Sequence, residues 1–343
     1  MKKILSICIP TFNRVRCLKN CLESIYQSSK NSNISFEVCI SDNCSNENIH
    51  EIIEHYKNKI PIVYSRNKKN QGLGVNILKA VSLAGGEYVW IIGNDDLFLK
   101  NTLSEFKKLT ETYSDVDFFL INSYNLSSSY VFNFSQPFNI DNLPKGMKTF
   151  SKNKVDHKCK FFDLIDQNYA FDFLLGIFLS VFKRKKWAEN LNVIKQDLIS
   201  DLKVYSNIYN TCPHNLIFAK AFNKSNSFYK SIPLSVNLSG EREWSPLYPF
   251  VEAVRIPELL NIYKKNGLGF FKYLKCQNFA VRRLFLNLIQ IYFFKKIEGR
   301  EMINFKKHIF SRLLYPSVYY FPIYTLIRKI YKKLLNLTKK NQI

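Results

Sequence analysis

An α/β fold, with a mainly parallel central sheet flanked by helices and a basic helical extension at its C-terminal end, is what this sequence predicts. Three observations lead there. Short apolar runs alternate with helix-spaced stretches through the first 125 residues. Polar and turn-forming residues gather where those runs end, and from about residue 250 the alternation gives way to basic, aromatic segments of helical character. At 343 residues with 46% hydrophobic content, the chain can bury one large α/β core and still carry an appendage.

The elements follow in order. Leu5–Ile9 is a continuous apolar run of strand length, and Leu18–Tyr26 has helical spacing. Phe36–Ile40 reads as strand, Ile49–Tyr56 as helix, Ile62–Tyr64 as strand, Val75–Leu83 as helix and Tyr88–Ile92 as strand. Such alternation implies parallel strands joined by helical crossovers. Residues 125–160 are rich in Asn, Ser and Lys and weakly periodic, which predicts a long excursion or mobile loop. Structure is expected to resume with the apolar stretch Phe171–Phe182, and then with a helix over Asn215–Phe222 that Pro213 helps to start.

The formal charge of +23 is unevenly placed. Residues 251–343 hold 19 Lys and Arg against 4 Asp and Glu, whereas the first 250 hold 31 against 23. A local anionic contact surface explains such a bias better than solubility does. Within that segment Leu313–Ile327 (LLYPSVYYFPIYTLI) carries no charge, lies between Arg312 and Arg328-Lys329, and is interrupted by Pro316 and Pro322. It is short of the ~20 residues a spanning helix needs, so it suits an anionic membrane interface, or else a helix of the subdomain core. A nucleic-acid partner is not expected, since no recognised nucleic-acid motif accompanies the basic residues. The N-terminal apolar run ends at Pro10, too short for a secretory h-region, which predicts a cytoplasmic protein held peripherally on the inner face of the plasma membrane. The eight cysteines have no paired metal-ligand spacing and read as reduced, largely buried thiols.

In a parallel α/β sheet, ligands bind beyond the carboxyl ends of the strands. Three strand ends here carry Pro10-Thr11-Phe12-Asn13-Arg14, Ser41-Asp42-Asn43-Cys44-Ser45 and Gly93-Asn94-Asp95-Asp96. Chance turn chemistry accounts for one such cluster, but three on one sheet edge indicate a site. Adjacent carboxylates on a turn, as in Asp95-Asp96, can hold Mg²⁺ or Mn²⁺ while phosphate oxygens complete the shell.

The blocks SICIPTFNR, EVCISDNCSNEN and NQGLGVNILKAVSLAGGEYVWIIGNDD, in this order and spacing, resemble the N-terminal half of glycosyltransferase family 2. The resemblance covers about residues 4–110, and with the later Cys-Pro-His helix start it is similar to the abequosyltransferase-like subset of bacterial O-antigen enzymes. It implies a GT-A, Rossmann-like fold and inverting, metal-assisted transfer of a sugar from a nucleotide-diphosphate donor to a saccharide acceptor, here polyprenyl-diphosphate-linked. The transferase domain would span 1–248, with the nucleotide-sugar half in about 1–125, the acceptor half in about 160–248 and a membrane-associating region in 249–343.

Residue by residue, the resemblance implies that Pro10, Thr11, Asn13 and Arg14 shape the pocket, and that Asp42 meets the base beside Asn43 and Ser45. Asn70, Gly72 and Asn76 would line the ribose and diphosphate. Asp95 would meet the ribose or sugar, and Asp96 would ligate the metal, with Asp95 beside it. The chain departs from the family where an acidic general base is expected at a helix start, because Thr211-Cys212-Pro213-His214 stands there. A neutral imidazole suits proton abstraction near pH 7, so His214 is a candidate base, with Asp201 and Asp197 as alternatives. Glu241-Arg242-Glu243-Trp244 reads as a surface ion pair near the rim. The rival readings are a metal-dependent nucleotidyl- or phosphotransferase, whose Gly-rich, basic first loop is missing here, and a basic nucleic-acid-binding protein.

Overall fold

The computed structural model describes residues 3–30, 32–240 and 244–340, with the side chains of 332–340 left out. The chain divides into two compact units, Met1–Arg242 and Glu243–Ile343. Of the rim segment read from the sequence, Glu241, Arg242 and Glu243 lie outside the described residues.

The first unit begins with the expected alternation: β1 (Leu5–Thr11), α1 (Val15–Ser29), β2 (Phe36–Asp42), α2 (Ile49–Lys57), β3 (Ile62–Arg66), α3 (Leu73–Ser82) and β4 (Tyr88–Ile91). β1 pairs in parallel with both β2 and β4, and β2 pairs in parallel with β3. On one sheet face Ile7, Ile40 and Trp90 are buried with Leu22, Ile53 and Phe106 of the covering helices, and on the other face Cys8, Cys39, Val89 and Ile91 are buried as well. This is why these strands read as unbroken apolar runs rather than as alternating ones.

Beyond β4 the topology departs from simple winding. There follow β5 (Leu97–Phe98), α4 (Thr102–Thr112), β6 (Phe118–Ser127), α5 (Ser128–Phe132), β7 (Lys148–Thr149), β8 (His157–Lys160), β9 (Ser180–Lys183), α6 (Arg184–Ala188), α7 (Gln196–Ile199), α8 (Ile208–Thr211), α9 (Pro213–Ala221) and β10 (Asn226–Ser239). The sheet runs β3-β2-β1-β4-β9-β6-β10-β5, with β7 on β6 and β8 on β10. β9 is antiparallel to both neighbours and closes the gap between β4 and β6, while β10 returns parallel to β6.

Two expectations need correction. The 125–160 segment is not an open excursion: β7 and β8 pair into the sheet, and Val131, Phe138 and Ile140 pack with Leu97, Val236 and Leu238 in a second core. Its apolar residues meet each other, as Phe134 does Tyr130 and Phe138, as well as distant strands, and this second set of contacts is not legible in local periodicity. Phe171–Phe182 is likewise not one element, since only its end forms β9, the strand between β4 and β6.

The second unit is helical: α10 (Tyr248–Phe250), α11 (Ile256–Lys265), α12 (Phe270–Val281), α13 (Leu284–Phe293), α14 (Phe305–His308) and α15 (Ser317–Lys340). A π-helical turn over Val251–Arg255 leads into α11. α15 takes up the uncharged stretch from Ser317 onward and runs 24 residues with Pro322 inside it. Among the described residues no helix is long and apolar enough to cross a membrane. A subdomain-core role for the stretch does not hold past Val318, because Tyr319, Tyr320, Ile323, Tyr324, Leu326 and Ile327 are each at least half exposed.

Candidate active site

The register of the parallel strands sets the site. Pro10 stands opposite Ser41 and Thr11 opposite Asp42, so the chain leaves β1 and β2 at the same level. After β1, Asn13 and Arg14 both take left-handed backbone conformations, with φ of 54° and 64°. Such residues cost about 1 kcal/mol each and persist only where neighbours hold them. Here the Asn13 amide donates to Ser45 Oγ at 2.7 Å, and Asn13 Oδ1 accepts from the Asn46 amide at 2.9 Å. The second loop thus bends the first.

The third loop joins them. Asn94 Nδ2 donates to Thr11 Oγ1 at 2.8 Å, and Arg14 Nη1 lies 3.5 Å from both Asn94 Oδ1 and Asp95 Oδ2. Gly93 leaves room for both carboxylates: a Cβ there would sit 2.5 Å from Asp95 Oδ1 and 3.1 Å from Asp96 Oδ2 and would displace the Asp95 side chain.

The two carboxylates differ sharply. Asp96 is 2% exposed; its Oδ2 accepts from the Gly93 amide at 2.7 Å and its Oδ1 from Asn237 Nδ2 at 2.7 Å. Asp95 is the more open of the pair and faces Arg14. The expectation that Asp96 leads in metal ligation therefore meets a side chain already braced by two N–H donors, while Asp95 stands at the mouth. Asn237, on β10 and 141 residues away, is a site residue the sequence reading missed.

Asp42 is also sequestered, at 1% exposure. Its Oδ1 accepts from the Ser45 amide at 2.9 Å; its Oδ2 accepts from Tyr64 Oη at 3.0 Å and lies 3.3 Å from Arg66 Nε. Burial, followed by the Asp42 charge, pushes the Tyr64 hydroxyl up to about 12. Tyr64 and Arg66, on β3, were missed because an amphipathic edge strand is where such residues ordinarily stand.

An amide network completes this side. Asn43 donates to Asn70 Oδ1 at 2.7 Å and accepts from Asn67 Nδ2 at 3.1 Å, and Asn70 Oδ1 also accepts from the Gly72 amide at 2.8 Å. Asn76 Nδ2 donates to the carbonyls of Thr11 and Ser41, and its Oδ1 accepts from Ser41 Oγ. Buried at 2%, Asn76 ties α3 to the β1 and β2 exits and holds the loops, as does Asn67, which the sequence reading did not single out. Gly72 caps α3 with φ of 83°, a conformation open to glycine.

The candidate bases separate. His214 follows Pro213 at the start of α9 but is 2% exposed, with Nε2 3.3 and 3.2 Å from the Leu174 and Leu175 carbonyls. Burial depresses its pKa to about 4, and Nδ1 is buried without a hydrogen-bond partner. This corrects the expectation of a cleft-facing imidazole: α9 turns the ring inward against Phe218 and away from solvent. Asp201, by contrast, is exposed. Its carboxylate accepts from Ser206 Oγ and the Lys203 amide, which lowers its pKa. Its carbonyl lies 3.7 Å from where a Gly72 Cβ would stand, so its loop borders the α3 turn. Asn210 secures that loop by donating to the carbonyls of Asp201 and Lys203. Asp197 is exposed in the first turn of α7.

Among the described residues no three His, Cys, Asp or Glu side chains cluster as a metal site. The donor set still fits a hard divalent cation such as Mg²⁺ or Mn²⁺, which takes one or two carboxylates and draws its other ligands from water and substrate phosphate.

Comparison with known proteins accords with this arrangement. Residues 6–173, just under half of the chain, match the family model described as Glycosyl transferase family 2. The abequosyltransferase RfbV of Salmonella typhimurium is 40% identical over 115 residues, 33% of this chain and 34% of that protein. The poly(ribitol-phosphate) beta-N-acetylglucosaminyltransferase TarS of Staphylococcus aureus is 32% identical over 114 residues, 32% of this chain and 20% of that one. The chain thus spans about a third or less of these two relatives' length. In structure it is similar to a TarS 1–349 complex with UDP, with a TM-score of 0.54 and 16% identity, covering 85% of this chain and 73% of that one. It is also similar to a Pyrobaculum calidifontis mannosyltransferase solved with GDP-Man and Mn²⁺, at a TM-score of 0.50 and 14% identity over 84% and 74% of the two chains. These structural likenesses establish the GT-A fold.

Proposed function

We propose that this chain, whose residues 6–173 form a glycosyl transferase family 2 domain, is an inverting glycosyltransferase of bacterial surface-glycan synthesis. It moves a sugar from a nucleoside-diphosphate donor to a saccharide acceptor. The observation that carries this reading is the direct linkage of three strand-end loops, Asn13 to Ser45, Thr11 to Asn94 and Arg14 to Asp95, at the edge where a parallel sheet binds nucleotides.

In this reading the base lies by Asp42, Tyr64 and Arg66, and the ribose and diphosphate lie along Asn70, Gly72 and the loop Gly93–Asp96. Asp95 is the first carboxylate for a divalent cation, and Asp96 keeps the loop in shape through Gly93 and Asn237. A cation bound at Asp95 would offset the charge that grows on the departing diphosphate. Asp201, beside the Gly72 turn, takes the proton from the acceptor hydroxyl as that oxygen attacks the anomeric carbon from the side opposite the diphosphate. Inversion follows from that in-line geometry.

The second unit carries the acceptor's address. The exposed aromatic and aliphatic side chains of α15, with Arg328 and Lys329 among them, suit the headgroup level of an anionic bilayer, where a lipid-linked acceptor is anchored. The proposal is tested by incubating the protein with a panel of nucleotide sugars and Mg²⁺ or Mn²⁺ and following release of the nucleoside diphosphate. Metal-dependent release from one donor, lost in Asp95→Asn, is expected; release unaffected by chelator and by that substitution would sink the metal assignment.

A further inference from the structure

Resting on the reading of Asp95 as the cation's carboxylate, we infer that Arg14 is a counter-ion stand-in: it neutralises Asp95 until a donor arrives, and so couples cation binding to diphosphate binding. The geometry is specific. Arg14 caps α1 in a left-handed conformation, at φ 64° and ψ 40°, with no side-chain cap of its own. Neighbouring groups enforce that conformation, through Asn13 to Ser45 on one side and the Leu18 amide to the Arg14 carbonyl, at 3.1 Å, on the other. Strain of this kind, held from both ends, aims the side chain back over the strand ends instead of along the helix.

There Nη1 stands 3.5 Å from Asp95 Oδ2 and 3.5 Å from Asn94 Oδ1, with the Arg14 side chain 25% and the Asp95 side chain 14% exposed. A contact this long is at the outer limit of hydrogen bonding and is easily exchanged. A divalent cation arriving alone meets a carboxylate already neutralised, with a positive group beside it. When a diphosphate arrives with the cation, the same guanidinium has a better partner: it turns to the phosphate oxygens, which its planar fork suits, and leaves Asp95 to the cation. The two ligands then favour each other by necessity of linkage. Arg14 is thus a positioning residue toward the cation.

The test reads cation binding directly, by counting free Mn²⁺ in its electron paramagnetic resonance spectrum with no nucleotide present. Arg14→Gln is expected to bind Mn²⁺ about tenfold more tightly than the unsubstituted protein, Arg14→Lys to stay near it, and Arg14→Gln combined with Asp95→Asn to lose the gain. At saturating Mn²⁺, calorimetric titration with UDP, CDP, GDP and dTDP in turn should show the tightest of the four weakened about tenfold by Arg14→Gln. Circular dichroism melts identify a variant that fails to fold; if Arg14→Gln does, Arg14→Met takes its place, with the same tenfold gain in Mn²⁺ affinity expected and unchanged or weaker affinity contradicting. Mn²⁺ affinity that is unchanged or weaker in folded Arg14→Gln overturns the inference, as does a gain that survives Asp95→Asn. If the unsubstituted protein takes up no Mn²⁺ even with each diphosphate present, the metal reading itself falls, a result distinct from a failure of Arg14.

Discussion

The two units distribute their side chains in opposite ways. In Met1–Arg242 the large apolar side chains are inside, and among the described residues only seven large hydrophobics are exposed, scattered from Leu73 to Ile232. In Glu243–Ile343, less than half as long, sixteen are exposed among the described residues, with Phe271 at 85% and Leu314 at 86%. Both units bury titratable side chains, Glu37, Asp42 and Asp96 in the first and Glu252, Arg255, Glu258, His308 and Arg312 in the second, all below 9%. Glu258 pairs with Arg255, Lys307 and His308, while Glu252 accepts from Asn287 and faces Arg282 and Arg283. Burying ions is costly unless they are paired, and large exposed apolar patches mark contact surfaces. The contrast teaches that the first unit turns its large apolar side chains inward and gathers polar loops at one sheet edge, whereas the second leaves an apolar, basic surface outward.

The largest effect tests whether chemistry resides in the first unit alone. Asp95→Asn should lower transfer ~10³-fold while liposome retention stays unchanged. A variant that lost membrane retention along with activity would break the division. The next contrast is in acid. Folded His214 resists protonation down to about 4, against 6.5 when unfolded, so its contribution is intact above pH 6.5 and is lost as pH falls from 6.5 to 4, by ~3 kcal/mol. For Glu258 burial raises the pKa, but His308, Arg255 and Lys307 outweigh it and hold the carboxyl well below its usual 4.5, so its contribution is lost only below pH 4.5. Melting curves should therefore flatten between pH 6.5 and 4 in His214→Gln and below 4.5 in Glu258→Gln; the same slope in both variants would erase the distinction.

Asp201→Ala should reduce transfer ~10²-fold with little change in donor affinity, while His214→Gln stays near full turnover at pH 7.5. The opposite ranking in initial-rate kinetics would return the base to the histidine. The smallest effect is on the outward face of the second unit. Replacing Tyr324, Ile327 and Ile330 together by Ser should weaken retention on phosphatidylglycerol vesicles ~10-fold and leave donor hydrolysis intact. Equal sedimentation with the vesicles would mean that α15 serves something other than lipid.

Seven elements from β1 to β4 were legible in the sequence because each is written in local periodicity, two residues for strands buried on one face, continuous runs for strands buried on both, and 3.6 for helices. The three strand-end loops were legible for the same reason, as polar residues at the exits of apolar runs. Local reading failed where a residue's meaning depends on a distant partner. Val131 and Phe138 look isolated until Val236 and Leu238 arrive beside them, and β9 is recognisable only as the strand that fits between β4 and β6.

By itself, then, the sequence determined the βαβ winding, the sheet edge where the polar loops gather and the basic character of the second unit, since these rest on spacing and composition. Tertiary structure alone decided that Asp96 is braced by Asn237 while Asp95 meets Arg14, that Asp42 is held by Tyr64 and Arg66, and that His214 points inward while Asp201 borders Gly72. The physical reason is that a carboxylate or an imidazole acquires its role from what reaches it. Those donors come from strands and loops up to 141 residues away, brought together only when the sheet closes.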